Sequence, residues 1–247
     1  MTDQLPFEFH TTPFEKMWTK ELFNSKYQPN STFRWVDSDN PESAINDEGW
    51  TYKFNDYGFR SDSFQQRSEY NILVSGCSIT VGIGVDYQYT WPELFKSKIK
   101  KQLGKSVSLF NLAQGSCSQD YVVRSIYKTI DFFKPDLVIA AWPPLNRFEF
   151  PNDQQSNTVR DYSIYDELFP KLLTDKKWGE TELEKNKIFL EMICNTIDSP
   201  LICKEANPEI GYYQETTLAR DGIHPGQVWH EMYADKVFKE WQNLNSF

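Results

Sequence analysis

From residue 70 onward, short apolar runs alternate with longer amphipathic stretches, and that alternation leaves few folds open. Residues 71–75 (NILVS), 107–112 (VSLFNL), 136–141 (DLVIAA) and 200–203 (PLIC) are too short for helices. They are also too continuously apolar for strands with one wet face, so they read as strands buried on both sides. Residues 91–103, 119–133, 181–197 and 227–241 between and after them read as helices. Strand and helix in alternation predict right-handed crossovers and a parallel sheet covered on both faces, an α/β domain.

The rhythm is absent from residues 1–69, which are rich in aromatic, Asn, Asp and Ser residues. This stretch reads as an N-terminal extension that packs on the core through its aromatics, with a tight turn at Asn55, Asp56, Tyr57 and Gly58. Residues 70–247 form the domain proper, interrupted by an irregular insertion over about 142–178 that carries Pro143, Pro144, Pro151 and Pro170. One elaborated domain suits a chain of 247 residues with 39% hydrophobic content.

Charge and cysteine usage exclude several classes of function. A formal net charge of −9 repels phosphate backbones, so nucleic acid is not the expected partner. The lysines at 96, 98, 100, 101 and 105 read as a solvated helix face. Four cysteines, at 77, 117, 194 and 203, lack paired spacing and read as free thiols, with no metal site and no cofactor. No run reaches the length of a membrane span, and the first residues lack the order of a signal peptide. The expectation is a cytoplasmic product, cellular or virus-encoded.

In an open parallel sheet, reactive groups gather where strands end. The first strand runs directly into SGCSITVGIG, which places Ser78 on a turn able to present a hydroxyl and a backbone N–H to one bound oxygen. The stretch lacks the lysine of a phosphate loop, the third glycine of a dinucleotide fingerprint, and the second glycine of a G-x-S-x-G elbow. A serine hydroxyl needs a base. Of the histidines at 10, 224 and 230, only His224 lies in a loop opening a helix, and Asp221 precedes it by three residues. Asp221 can hold the imidazole, which gives the order Ser78, Asp221, His224. Gly115, which follows the second strand as Ser78 follows the first, offers a second N–H for an oxyanion.

These stretches resemble the SGNH (GDSL-type) hydrolases. Gly76-Cys77-Ser78-Ile79-Thr80 is similar to the GDSL block, Asn111 to Gly115 to the second block with its oxyanion glycine, and Asp221-Gly222-Ile223-His224-Pro225 to the D-x-x-H block. Tyr57-Gly58-Phe59-Arg60 resembles a GFR element that precedes the core in some members. The resemblance implies a three-layer α/β/α sandwich of flavodoxin-like type, with a parallel sheet of about five strands. It also implies hydrolysis of an ester, an O-acetylated carbohydrate among the candidates, through an acyl-enzyme and without a metal. Two departures stand out. Cys77 replaces the aspartate of the first block, and Trp142-Pro143-Pro144-Leu145-Asn146-Arg147 occupies the third, where an asparagine normally donates to the oxyanion. Proline at 144 donates nothing, and two candidates for the third oxyanion donor stand beyond it: Asn146, if the loop bends differently, and Arg147.

Other readings stand beside this one. Cys77 is an alternative nucleophile or a buried structural thiol. Trp142 and Phe148 line a substrate pocket or pack under the insertion. The whole chain is an esterase, an acyltransferase with the same triad, or a non-catalytic module in a larger assembly such as a virus particle, docking on a protein partner through its aromatic N-terminal segment.

Overall fold

The computed structural model describes residues 32–35, 50–55, 57–115, 117–145, 147, 149–150, 157–158, 175–206, 218–219 and 224–245. The first described elements are β1 (Thr32–Trp35) and β2 (Trp50–Lys53), which pair antiparallel. Next come β3 (Tyr70–Gly76), the one-turn helix α1 (Ser78–Val81), α2 (Trp91–Leu103), β4 (Val107–Asn111), α3 (Gln119–Phe133) and β5 (Leu137–Trp142). A small antiparallel pair, β6 (Glu149–Phe150) with β7 (Asn157–Thr158), falls in the expected insertion. The chain continues with α4 (Lys176–Thr196), β8 (Leu201–Glu205) and α5 (Gln227–Leu244).

Four of these strands make a parallel sheet in the order β4-β3-β5-β8, the flavodoxin-like arrangement, where about five were expected. Side chains alternate across it, because successive residues of a strand point to opposite faces. Ile72, Val74, Leu109, Leu137, Ile139 and Ala141 meet Trp91, Phe95 and Ile99 of α2 and Val237 and Trp241 of α5. Leu73, Phe110, Val138, Ala140 and Trp142 face α3 and α4, among them Val122, Ile126, Phe133 and Leu190. Both faces are therefore dry, and the continuous apolar runs follow from that.

Local chemistry sets the helix ends. Pro92 opens α2, where a missing N–H costs nothing, and Gly104 closes it in the left-handed region at φ 64. The Ser118 hydroxyl accepts from the Tyr121 N–H at 3.1 Å to start α3. Asp175 does the same for Trp178 at 3.2 Å, so α4 begins at Lys176, ahead of the expected 181.

The outer edge of β4 is not left open. Asp62 N–H donates to the Leu109 carbonyl at 3.2 Å, and the Asp62 carboxylate accepts from Leu109 N–H at 2.8 Å. Ser61 Oγ accepts from Asn111 N–H at 2.8 Å and donates to the Leu109 carbonyl at 3.0 Å. Phe64 anchors the segment in contact with Tyr57, Phe59, Phe110 and Phe133. The turn before it is organised by Asn55, whose Oδ1 accepts from the N–H groups of Tyr57 and Phe59, each at 3.0 Å. Lys96 is not simply solvated, as it bonds Asp62 at 2.8 Å and Glu93 at 3.3 Å, and Lys98 pairs with Asp235. No described helix is long and apolar enough to cross a membrane.

Candidate active site

Ser78 is the first residue of α1, directly after the carboxyl end of β3, a strand flanked by β4 and β5. The preceding Cys77 is extended (φ −95, ψ −164), and the Thr80 and Val81 N–H groups turn back to its carbonyl at 2.9 and 3.0 Å. Gly76 makes this turn sterically feasible, since a Cβ there would stand 2.3 Å from Thr80 Oγ1 and 3.0 Å from Ala141 Cβ. At the other end Gly82 takes the left-handed conformation and donates its N–H to the Ser78 carbonyl at 3.0 Å. The Ser78 N–H is one of the leading donors that a helix leaves without an acceptor of its own. Ser78 itself is 4% exposed.

The loop after β4 lies against this turn. Gln114 N–H and Cys117 Sγ both donate to the Gly76 carbonyl, at 2.9 and 3.2 Å. Asn111 ties the two loops together, with Nδ2 donating to the Thr80 carbonyl at 3.3 Å and Oδ1 accepting from Ala113 N–H at 3.0 Å. Gly115 is buried within the same loop. Cys77 is fully buried in the cluster on the α3 and α4 side, in keeping with the structural reading of its thiol.

His224 is half-buried just before α5, in a loop closed by the bridge between Leu218 and Pro225 and by Ala219 N–H donating to the His224 carbonyl at 2.7 Å. Asp221, Asn146 and Phe148 lie outside the described residues. Trp142 is fully buried, and Arg147 is held by its N–H bond to the Pro144 carbonyl at 3.3 Å.

Two residues to which the sequence assigned no role complete the surroundings. Arg60 is a buried guanidinium, 3% exposed, whose Nη1 donates to the carbonyls of Val81 and Gly82 and whose Nη2 donates to Val85 at 2.6 Å. Burial lowers its pKa to about 10, against the favourable influence of Tyr52, Tyr87, Asp86 and Glu93, so it stays a cation at neutral pH. His230 is fully buried, and its Nδ1 accepts from Trp91 N–H at 3.1 Å, capping the start of α2. That bond puts the neutral ring's proton on Nε2. Burial, then the charges of Arg60 and His224, push the His230 pKa down to about 3.

Ser78 thus stands on a turn at the carboxyl end of a flavodoxin-like sheet, against the loop that carries Gly115, and His224 stands in the loop before α5. No family model matches the chain, and no curated protein matches it in sequence. Solved structures similar to it include a lipase from a goat rumen metagenome, at 15% identity over 68% of this chain and 95% of that one, with a TM-score of 0.48. Others are the lipase/acylhydrolase from Enterococcus faecalis (16% identity, 70% and 96% covered, TM-score 0.37) and the Clostridium thermocellum family 3 carbohydrate esterase (15%, 69% and 94%, TM-score 0.37).

Proposed function

We propose that the chain is a serine esterase that works through an acyl-enzyme, with a carboxylic ester, an O-acetylated carbohydrate first among them, as substrate. Ser78 Oγ attacks the ester carbonyl while His224 takes its proton, then His224 returns that proton to the departing alkoxide. Asp221 orients the imidazole. The N–H groups of Ser78 and Gly115, with the Asn146 amide, hold the oxyanion. Water then attacks the acyl-serine with His224 again as base, releasing the acid.

The observation that carries this reading is the placement of Ser78 at the head of a one-turn helix after β3, with the Gly115 loop bonded to the Gly76 carbonyl beside it. A fluorophosphonate probe is expected to form an adduct on Ser78, mapped by mass spectrometry. Hydrolysis of 4-nitrophenyl acetate should fall by roughly 10³-fold or more in Ser78→Ala. An unlabelled Ser78, or full activity in the variant, overturns the proposal and favours a binding module that keeps the fold without turnover.

A further inference from the structure

Arg60 lies outside the sheet and helices, 18 residues before Ser78, yet its side chain ends on the turn that carries the serine. The carbonyl of Val81 and the N–H of Gly82 belong to one peptide group, and the carbonyl of Gly82 and the N–H of Ile83 belong to the next. Arg60 Nη1 donates to both carbonyls, and both N–H groups converge on the Ser78 carbonyl, at 3.0 and 3.3 Å. The guanidinium is thus linked through two peptide groups to the backbone of the candidate nucleophile. In a buried site each bond polarises the next, so the cation strengthens the whole chain. Its own position is fixed by the Tyr52 ring, 4.3 Å from the guanidinium carbon, and by Nη2 on Val85. Tyr52 also accepts from Gly84 N–H at 2.8 Å, so the same ring supports the turn directly.

We propose that Arg60 is a positioning residue of the esterase reaction, its planar fork setting the backbone from which the Ser78 hydroxyl and N–H act. The inference rests on the function proposed above. A buried cation is costly unless its donors are used, and a lysine ammonium cannot span three carbonyls in one plane. Arg60→Lys therefore keeps the charge and loses the geometry.

The expected result for Arg60→Lys with 4-nitrophenyl acetate is a kcat lower by about 10- to 100-fold with KM changed by less than about threefold. Its rate of fluorophosphonate labelling at Ser78 should fall in parallel. Phe133→Leu, a change in the core away from the turn, serves as a stability control and should keep kcat within about threefold. A kcat for Arg60→Lys within threefold of the parent, or a loss matched by the control at equal melting temperature, overturns the inference. Should Arg60→Lys not fold, Tyr52→Leu removes the ring under the guanidinium and keeps the charge. It should lower kcat by about 3- to 10-fold at constant KM, and an unchanged kcat overturns the inference. Failure of the parent protein to label at Ser78 sinks the esterase reading itself, whereas parent-like labelling in Arg60→Lys sinks only the role of Arg60.

Discussion

Acidification is the perturbation that singles out His230. Burial, Arg60 and His224 hold its folded pKa at about 3, against an ordinary value of 6.5. Between those values the unfolded chain takes up a proton that the folded chain refuses, so the unfolded state gains as the pH falls. Stability from the neutral ring is complete above about pH 6.5 and declines toward pH 3. Each unit inside that window removes up to about 1.4 kcal/mol, so near pH 5 the loss is about 2 kcal/mol. That is a large share of the roughly 5–15 kcal/mol by which a domain is stable. His230→Asn keeps an acceptor for the Trp91 N–H but does not titrate, so every other group is common to both proteins. Urea unfolding near pH 7.5 and pH 5 should show the parent losing about 2 kcal/mol more than the variant, whatever the fixed cost of the substitution. Equal losses in the two proteins would refute a buried, neutral imidazole at this position.

Two further outcomes follow from local geometry. Gly82→Ala places a Cβ 2.3 Å from Thr90 Cγ2 and 3.2 Å from Arg60 Nη1 at a φ of +76, so thermal unfolding should report a loss of about 2 kcal/mol or more; an unchanged melting temperature would contradict the tight turn. Burial raises the thiol pKa of Cys194 to about 12 and that of Cys203 to about 11, so near pH 8 iodoacetamide should modify Cys203 about 100-fold, and Cys194 about 1000-fold, more slowly in the folded protein than in urea. Comparable rates in the two states would show the thiols to be open to solvent.

The sheet was legible in the sequence because its strands are apolar on both faces, and α2 and α3 coincide with the expected residues because a left-handed Gly104 and a capping Ser118 mark their ends. The start of α4 was missed. Its first turn, Lys176 to Gly179, carries no apolar period, and Gly179 is there because the Leu145 carbonyl would lie 2.9 Å from any Cβ. Helix α1 was missed because four residues are too few to show a period. At the site, Ser78, Gly115 and His224 were read from order and from their positions after strands or before a helix. Arg60 and His230 could not be assigned in that way, because their partners are backbone groups: the carbonyls of Val81, Gly82 and Val85, and the N–H of Trp91, 139 residues from its acceptor. Backbone partners leave no trace in residue identity.

The seam along β4 bears on how the protein can be shortened. Ser61 and Asp62 satisfy donors and acceptors that would otherwise face outward, and Phe64 plugs the hollow beside them. A truncated version starting at residue 70 would carry an unzipped flank, open to pairing with the same flank on a second molecule. Soluble shortened forms should therefore begin upstream of Asn55, so that the natural selvage of the sheet is retained.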